Sequence, residues 1–406
     1  MEECSVATFE LSDTMKRLPR QYFTYLAEKT DQIKAQWDDV IDLGIGNPDL
    51  PTPKFIVDEL KEAADDLAND RYGPDRGFDY LREAVADYYL REYGVTLDPE
   101  TEVAVLHGSK AGIVEISQCL LNPGDTVLLP NPSYPDYLSG IALAAAKIAE
   151  LPLLAENQFL PRYDLMDAET AAAAKLMFLN YPNNPTSAVA SAEFFAETEA
   201  FAEKNQVCVA HDFAYGTIGF DGDKPLSFLQ TPGAKEVGVE FFTLSKSHNM
   251  AGWRMGFAVG NASVIEGINL MQDHTGCGFY GGIQRAAAKA LTGDQTSVRE
   301  LTATYERRRN LFLAELEATG LEINKPKGSF YVWIKAPGEF TSESFMDFLA
   351  NEARVLVAPG DGFGTLGEGY VRIGLSQSDE LLLEAAKRIA GLAPFSTPVS
   401  DKVLSY

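Results

Sequence analysis

Lys246 lies in the run Ser245-Lys246-Ser247-His248-Asn249-Met250-Ala251-Gly252-Trp253-Arg254, a lysine among small hydroxyl side chains with an arginine eight residues on. An amine held in such a place can attack a carbonyl, and a guanidinium is the side chain best shaped to grip a phosphate. Taken alone, either residue is ordinarily a solvated surface charge. The segment follows an apolar run, 240–244, and four other apolar runs along the chain are followed by polar residues of equally specific kinds.

After 103–106 comes His107-Gly108-Ser109-Lys110-Ala111-Gly112, where small residues at the start of an apolar helix leave free N–H groups to meet an anion. After 126–129 comes Asn131-Pro132-Ser133-Tyr134-Pro135, whose prolines stiffen the backbone around Tyr134, a ring able to stack on another flat ring. The run 176–179 leads into Asn180-Tyr181-Pro182-Asn183-Asn184-Pro185-Thr186, a stiff turn that presents the Asn184 amide as a donor to an oxygen anion. The run 207–210 leads into His211-Asp212-Phe213-Ala214-Tyr215, which puts a carboxylate in need of a cationic partner at an apolar strand end. Each segment has a plainer reading by itself: an ordinary turn, a packing tyrosine, a polar loop, a helix cap or salt bridge. An anion cradle, a ring stacker, an amide donor, a carboxylate and a lysine with an arginine, all at successive strand ends, together describe a site for pyridoxal 5'-phosphate (PLP).

The runs that carry these groups are short, apolar and rich in β-formers, as expected of strands buried on both faces. Between them lie helical patterns such as 80–93, with Leu81, Val85 and Tyr88 on one face, and 193–203, capped by Ser191. The alternation predicts an α/β fold with a mainly parallel, doubly wound sheet, in which ligands bind beyond the carboxyl ends of the strands. Past residue 298 the pattern changes to a charged helical stretch over 298–319, strands at 329–334 and 369–373 and a helix near 380–391, which predicts a smaller α+β domain. The expected organisation is an N-terminal segment over 1–45, with a helix at 22–36, packing with the small domain; a large cofactor-binding domain over 46–297; and the small domain over 298–406, ending in an irregular tail from Pro394.

With 34 lysines and arginines against 59 aspartates and glutamates, the formal charge is −25, which opposes nucleic acid and anionic membranes as partners and requires any anionic ligand to be caught locally. Cys4, Cys119, Cys208 and Cys277 show no close spacing and the four histidines are scattered, so neither a disulfide framework nor a metal cluster is expected. The start, Met1 to Glu10, carries acidic residues without the apolar core of a signal peptide, and no run approaches the length of a membrane span; a cytoplasmic protein is expected.

The chain resembles the class I/II aminotransferases, of the fold-type I PLP-dependent enzymes, through Asn184-Pro185-Thr186, Asp212-Phe213-Ala214-Tyr215 and the Ser245-Lys246 to Arg254 spacing. The likeness extends to Gly44-Ile45-Gly46-Asn47-Pro48-Asp49, Arg71-Tyr72-Gly73-Pro74 with Gly77, Lys327-Gly328-Ser329-Phe330-Tyr331 and Tyr370-Val371-Arg372-Ile373, and so covers nearly the whole chain. It implies that Lys246 holds PLP as a Schiff base and moves the substrate proton, that Asp212 meets the pyridine nitrogen, and that Asn184 and Tyr215 hold the phenolic oxygen while Tyr134 stacks on the ring. It further implies phosphate contacts from Ser109, Lys110, Thr243 and Arg254, with Ser245 beside them and Tyr72 reaching across from a neighbouring subunit of a homodimer. The substrate α-carboxylate would pair with Arg372 near the backbone of Gly46, and Lys110, unless it is simply solvated, would read a distal carboxylate.

Ser187, where many relatives carry glycine, and Ala214, where many carry a bulkier residue, depart from the pattern. The Gly108-to-Ile113 turn is similar to that of LL-diaminopimelate, aspartate and alanine aminotransferases, which implies a ping-pong transfer from a small polar or acidic donor to a 2-oxo acid, 2-oxoglutarate being the expected one. Two other readings stay open: a PLP-dependent C–S β-lyase, and a non-catalytic PLP-binding regulator, for whose DNA-binding module the residues ahead of Gly44 leave no room.

Overall fold

Past a helix at Tyr22–Lys34 and a short strand β1 (Ile41–Asp42), helices at Lys54–Ala64 and Asp79–Tyr93 lead into the large sheet of the protein. That sheet comprises β2 (Val103–Leu106), β3 (Thr126–Asn131), β4 (Lys147–Pro152), β5 (Ala174–Asn180), β6 (Cys208–Asp212), β7 (Gly238–Thr243) and β8 (Gly256–Gly260), in the spatial order β2-β8-β7-β6-β5-β3-β4. Only β8 runs against its two neighbours; every other pair is parallel. The computed structural model describes residues 8–393 and 395 apart from Cys277, so residues 1–7 of the acidic start with Cys4, then Cys277, and the tail from Pro394, other than Phe395, lie outside the described residues.

Each of the expected central strands is present, and β3, β5 and β6 run beyond their apolar stretches to end on Asn131, Asn180 and Asp212. β7 stops at Thr243, so Leu244, expected as strand, instead opens a helical turn over Leu244–Ser247. Sequence patterning passes over β4 and β8. β4 is an edge strand whose residues are largely exposed, and β8 is a five-residue segment with a glycine at each end, too small to stand out as an apolar run. The helix Ala192–Asn205 begins as expected at Ser191, whose hydroxyl accepts from the Phe194 N–H at 3.2 Å.

A second sheet follows the long helix Thr296–Leu316. It consists of β9 (Ile323–Asn324), β10 (Tyr331–Lys335), β12 (Ala358–Pro359) and β13 (Tyr370–Gly374), antiparallel in the order β12-β13-β10-β9, while β11 (Val355–Leu356) pairs in parallel with β1. The strand expected from residue 329 begins only at Tyr331, because Ser329 takes a positive φ of 59°. Helix Asp379–Ala390 packs on Thr296–Leu316 behind this sheet. The N-terminal segment touches both halves: the Tyr22 hydroxyl donates to Pro359 O (2.8 Å), and Arg17 Nε donates to Ala142 O (3.1 Å) on a helix of the large sheet. No helix among the described residues is long and apolar enough to cross a membrane.

Candidate active site

A cavity of about 600 Å³ opens at the carboxyl ends of β5, β6 and β7 and takes in most of the residues singled out from the sequence. Asn180, the last residue of β5, ties two strand ends together: its amide donates to Asp212 O (2.7 Å) and its Oδ1 accepts from the Asn184 N–H (2.7 Å). Asn183 closes the same turn, accepting from the N–H and hydroxyl of Thr186 at 3.0 and 2.7 Å. A loop braced this way by its own amides holds Asn184 in place before any ligand arrives.

Asp212 is buried, and its Oδ2 accepts from the Tyr137 hydroxyl (3.0 Å) and its Oδ1 from the Ala214 N–H (3.2 Å). Burial pushes its carboxyl up to about 6, against the pull of those bonds and of His211 and Lys246. Lys246 sits in the turn Leu244–Ser247, whose first N–H groups are met by Thr243, since Ser245 N donates to Thr243 Oγ1 at 3.1 Å. Its amine donates to Gly46 O (2.9 Å); desolvation, together with the Arg372 and Arg254 cations, brings it down to about 8. An amine so tuned is neutral often enough at ordinary pH to act as a nucleophile and a base. In cofactor-free protein the rate of reloading with PLP, followed by absorbance, should rise as pH climbs through about 8 and then level off, since it is the neutral amine that reacts. A rate still climbing toward the ordinary lysine value of 10.5 would contradict the environment described for Lys246.

Arg372, on β13, is 1% exposed. Its Nη1 donates to Asn184 Oδ1 and its Nη2 to Gly44 O, both at 2.8 Å, while its Nε is buried without a partner. The guanidinium lies 4.2 Å from the Tyr331 ring centroid and 4.7 Å from that of Phe363. A buried cation among aromatic faces and carbonyls, with a donor left over, is suited to a small carboxylate. Gly46 is needed beside it, because a Cβ there would fall 2.0 Å from the Tyr331 hydroxyl.

At the start of the helix Ser109–Leu120, Gly108 has φ +78° and lies under the Arg254 guanidinium, where a Cβ would come within 2.4 Å of Nη2. A Cβ on Gly256 would press on the Ser109 N at 2.7 Å. The two glycines let β8, the helix start and Arg254 close on one small space, which fits the phosphate of PLP. Gly108→Ala should weaken PLP binding roughly tenfold, since an alanine at that φ costs about 1 kcal/mol and displaces the guanidinium; a PLP titration of cofactor-free protein would read it. Unchanged affinity would mean that Arg254 does not need its place above Gly108.

Several of the residues singled out have settings that residue type alone did not show. Lys110 is partly exposed, but it is not a free cation, because its amine pairs with buried Asp136 at 2.9 Å. Thr243 uses its hydroxyl on the Lys246 turn, 3.0 Å from Ser245 Oγ and 3.2 Å from Met255 O. Tyr72 is 92% exposed and outside the cavity of this chain. Tyr134 stands edge-on to Tyr137, with ring planes at 82° and centroids 5.6 Å apart. Ser187, the departure noted above, has φ +61°, and its hydroxyl donates to Tyr331 O (2.6 Å), which offsets a backbone that favours glycine. Sequence reasoning missed Asn180, Tyr137 and Tyr331, although Asn180 and Tyr331 lie in segments already singled out and Tyr137 just beyond one; Tyr331 also meets Tyr215 hydroxyl to hydroxyl at 3.1 Å. None is charged, so residue type gave no mark.

Residues 38–389 match the family model Aminotransferase class I and II. The chain belongs to that family. The aminotransferase is 56% identical over 396 residues, 98% of its length and 100% of the relative's, to L-glutamine--4-(methylsulfanyl)-2-oxobutanoate aminotransferase of Bacillus subtilis (strain 168). It is 44% identical over 388 residues, 96% of its length and 99% of the relative's, to LL-diaminopimelate aminotransferase of Dehalococcoides mccartyi (strain ATCC BAA-2266 / KCTC 15142 / 195). Among solved structures, apo-BacF from Bacillus subtilis superposes with a TM-score of 0.91 at 48% identity, covering 96% of this chain and 100% of that one. The fold is that of the fold-type I PLP-dependent transferases, and the aminotransferase moves an amino group from an amino acid to a 2-oxo acid. Enzymes of this family work with PLP.

Proposed function

We propose that PLP is anchored covalently on Lys246 and that the substrate pair is glutamine, as amino donor, and 4-(methylsulfanyl)-2-oxobutanoate, as acceptor. The observation that carries the site reading is the buried Arg372, with an Nε lacking any partner, in the same cavity as the lowered Lys246 amine and the Asp212 carboxylate. The substrate pair is supported by the 56% identity along nearly the full length of both chains.

When bound, PLP supplies an electrophilic carbon and a pyridine ring that takes up negative charge from the substrate Cα. Lys246 is the amine that would anchor it and carry the proton to and from Cα. Asp212, held by Tyr137 and Ala214, would meet the ring nitrogen, where a bond to a cation would offset what its burial costs. Asn184 and Tyr215 would hold the phenolic oxygen, Tyr134 would cover the ring, and Ser109, the backbone of Lys110, Thr243, Ser245 and Arg254 would hold the phosphate. Arg372 takes the α-carboxylate in a two-pronged bond beside Gly46.

We also assign the chain a large body over 46–297, a small one over 298–406 and a leading segment over 1–45 that packs with the small one. A homodimer in which each Tyr72 completes the neighbouring phosphate site accounts for the exposure of that side chain. A cytoplasmic setting agrees with the free thiols of Cys119 and Cys208.

The test is a panel of amino donors added to the purified, PLP-loaded protein without acceptor, with the loss of the yellow form followed by absorbance. Bleaching by glutamine, reversed by 4-(methylsulfanyl)-2-oxobutanoate, is expected. Ammonia and pyruvate released from cysteine or cystathionine without any 2-oxo acid would overturn the reading in favour of a lyase.

A further inference from the structure

Lys110 is the cation of the cavity wall that could reach beyond the α-carboxylate, and it is already engaged. Its amine lies 2.9 Å from Asp136 Oδ2; the lysine side chain is 46% exposed while the aspartate's is 2% exposed. Asp136 stands at the head of the helix Tyr137–Ala144 without capping it, and the Gln21 side chain, from the N-terminal segment, donates to its other oxygen. Phe23, Leu26, Ala27 and Ile45 line the same cavity with apolar surface.

We propose that Asp136 sets the substrate choice of the enzyme by neutralising Lys110, so that amino and 2-oxo acids with an uncharged distal group are preferred over dicarboxylic ones. The inference rests on the reading of this cavity as the substrate site. A carboxylate as buried as that of Asp136 keeps its cation, because breaking the pair would leave a desolvated charge alone. A distal carboxylate entering the cavity therefore meets a paired lysine and the negative charge behind it, and like charges across a partly desolvated gap repel. An amide or thioether meets neither penalty. Asp136 acts here as a positioning residue, through Lys110.

The experiment compares kcat/KM for glutamine and methionine with that for glutamate and aspartate in the PLP-loaded enzyme, and in Asp136→Asn, Lys110→Met and the double variant. The wild-type enzyme should favour the uncharged donors. Asparagine at 136 can still accept from Gln21 while freeing the lysine, so Asp136→Asn should shift the ratio toward the dicarboxylic donors by roughly tenfold. Lys110→Met leaves the aspartate charge alone and should widen the preference for uncharged donors. The double variant should lose the gain seen in Asp136→Asn, because the gain needs the freed lysine. A purely structural role for the pair would lower all four donors together and leave the ratios unmoved, which would overturn the proposal; so would a wild-type preference for glutamate or aspartate. Should Asp136→Asn not fold, the wild-type panel and Lys110→Met decide alone, for a ratio unmoved by Lys110→Met overturns it as well. If no donor bleaches the enzyme, the reading of the cavity itself fails, an outcome distinct from bleaching with the opposite preference.

Discussion

Lys246→Ala is expected to lower kcat by roughly 10,000-fold, the upper range for removing a positioned proton-transfer group, with loss of the covalent anchor added. The side chain combines a lowered amine, a fixed place beside Gly46 O and a cavity shared with Asp212 and Arg372, and among the described residues the other lysine of that cavity, Lys110, is paired with Asp136. The phosphate cradle at Gly108 and the Asp212 carboxylate do not depend on it, so PLP should still bind, reversibly. Reduction with borohydride followed by denaturation should therefore leave PLP on the wild-type chain and none on the variant. Covalent PLP retained by Lys246→Ala would place the anchor elsewhere.

Arg372→Ala should lower kcat/KM for every amino donor by about 100-fold or more, as removal of one partner from a buried, charge-assisted contact costs about 2–5 kcal/mol. Arg372→Lys should restore little, because an ammonium cannot span two carboxylate oxygens or spread flat between the rings of Tyr331 and Phe363. Asn184 loses a bond in both variants, so the PLP absorbance spectrum should be compared alongside the kinetics. A loss confined to that spectrum, with donor kcat/KM intact, would move the α-carboxylate away from Arg372.

The two results depend on features of unequal visibility in the sequence. Lys246, Asp212 and Asn184 were legible because strands buried on both faces are mostly apolar, Glu240 within β7 being an exception, which concentrates polar residues at their ends. The same logic failed for β4, an exposed edge strand, and for β8, whose apolar core is confined between two glycines. It also left Lys110 as either solvated or reading a distal carboxylate, because its partner Asp136 falls one residue beyond the segment singled out for Tyr134.

The chain's local pattern was thus enough to point to the family, to five of the seven strands of the large sheet, and to which residue types stand at its mouth. It could not establish partners, since these join residues far apart along the chain: Tyr137 with Asp212, Arg372 with Asn184 and Gly44, Gln21 with Asp136. Such contacts depend on the spatial order of strands, including the reversed β8 between β2 and β7, and on the second sheet bringing Arg372 and Tyr331 to the first. Charge is a property of a residue, but whether that charge is free, paired or desolvated is decided by what the fold packs against it. For this enzyme that difference separates a desolvated lysine with a lowered amine, Lys246, which we propose as the cofactor's anchor, from one whose charge is already taken, Lys110.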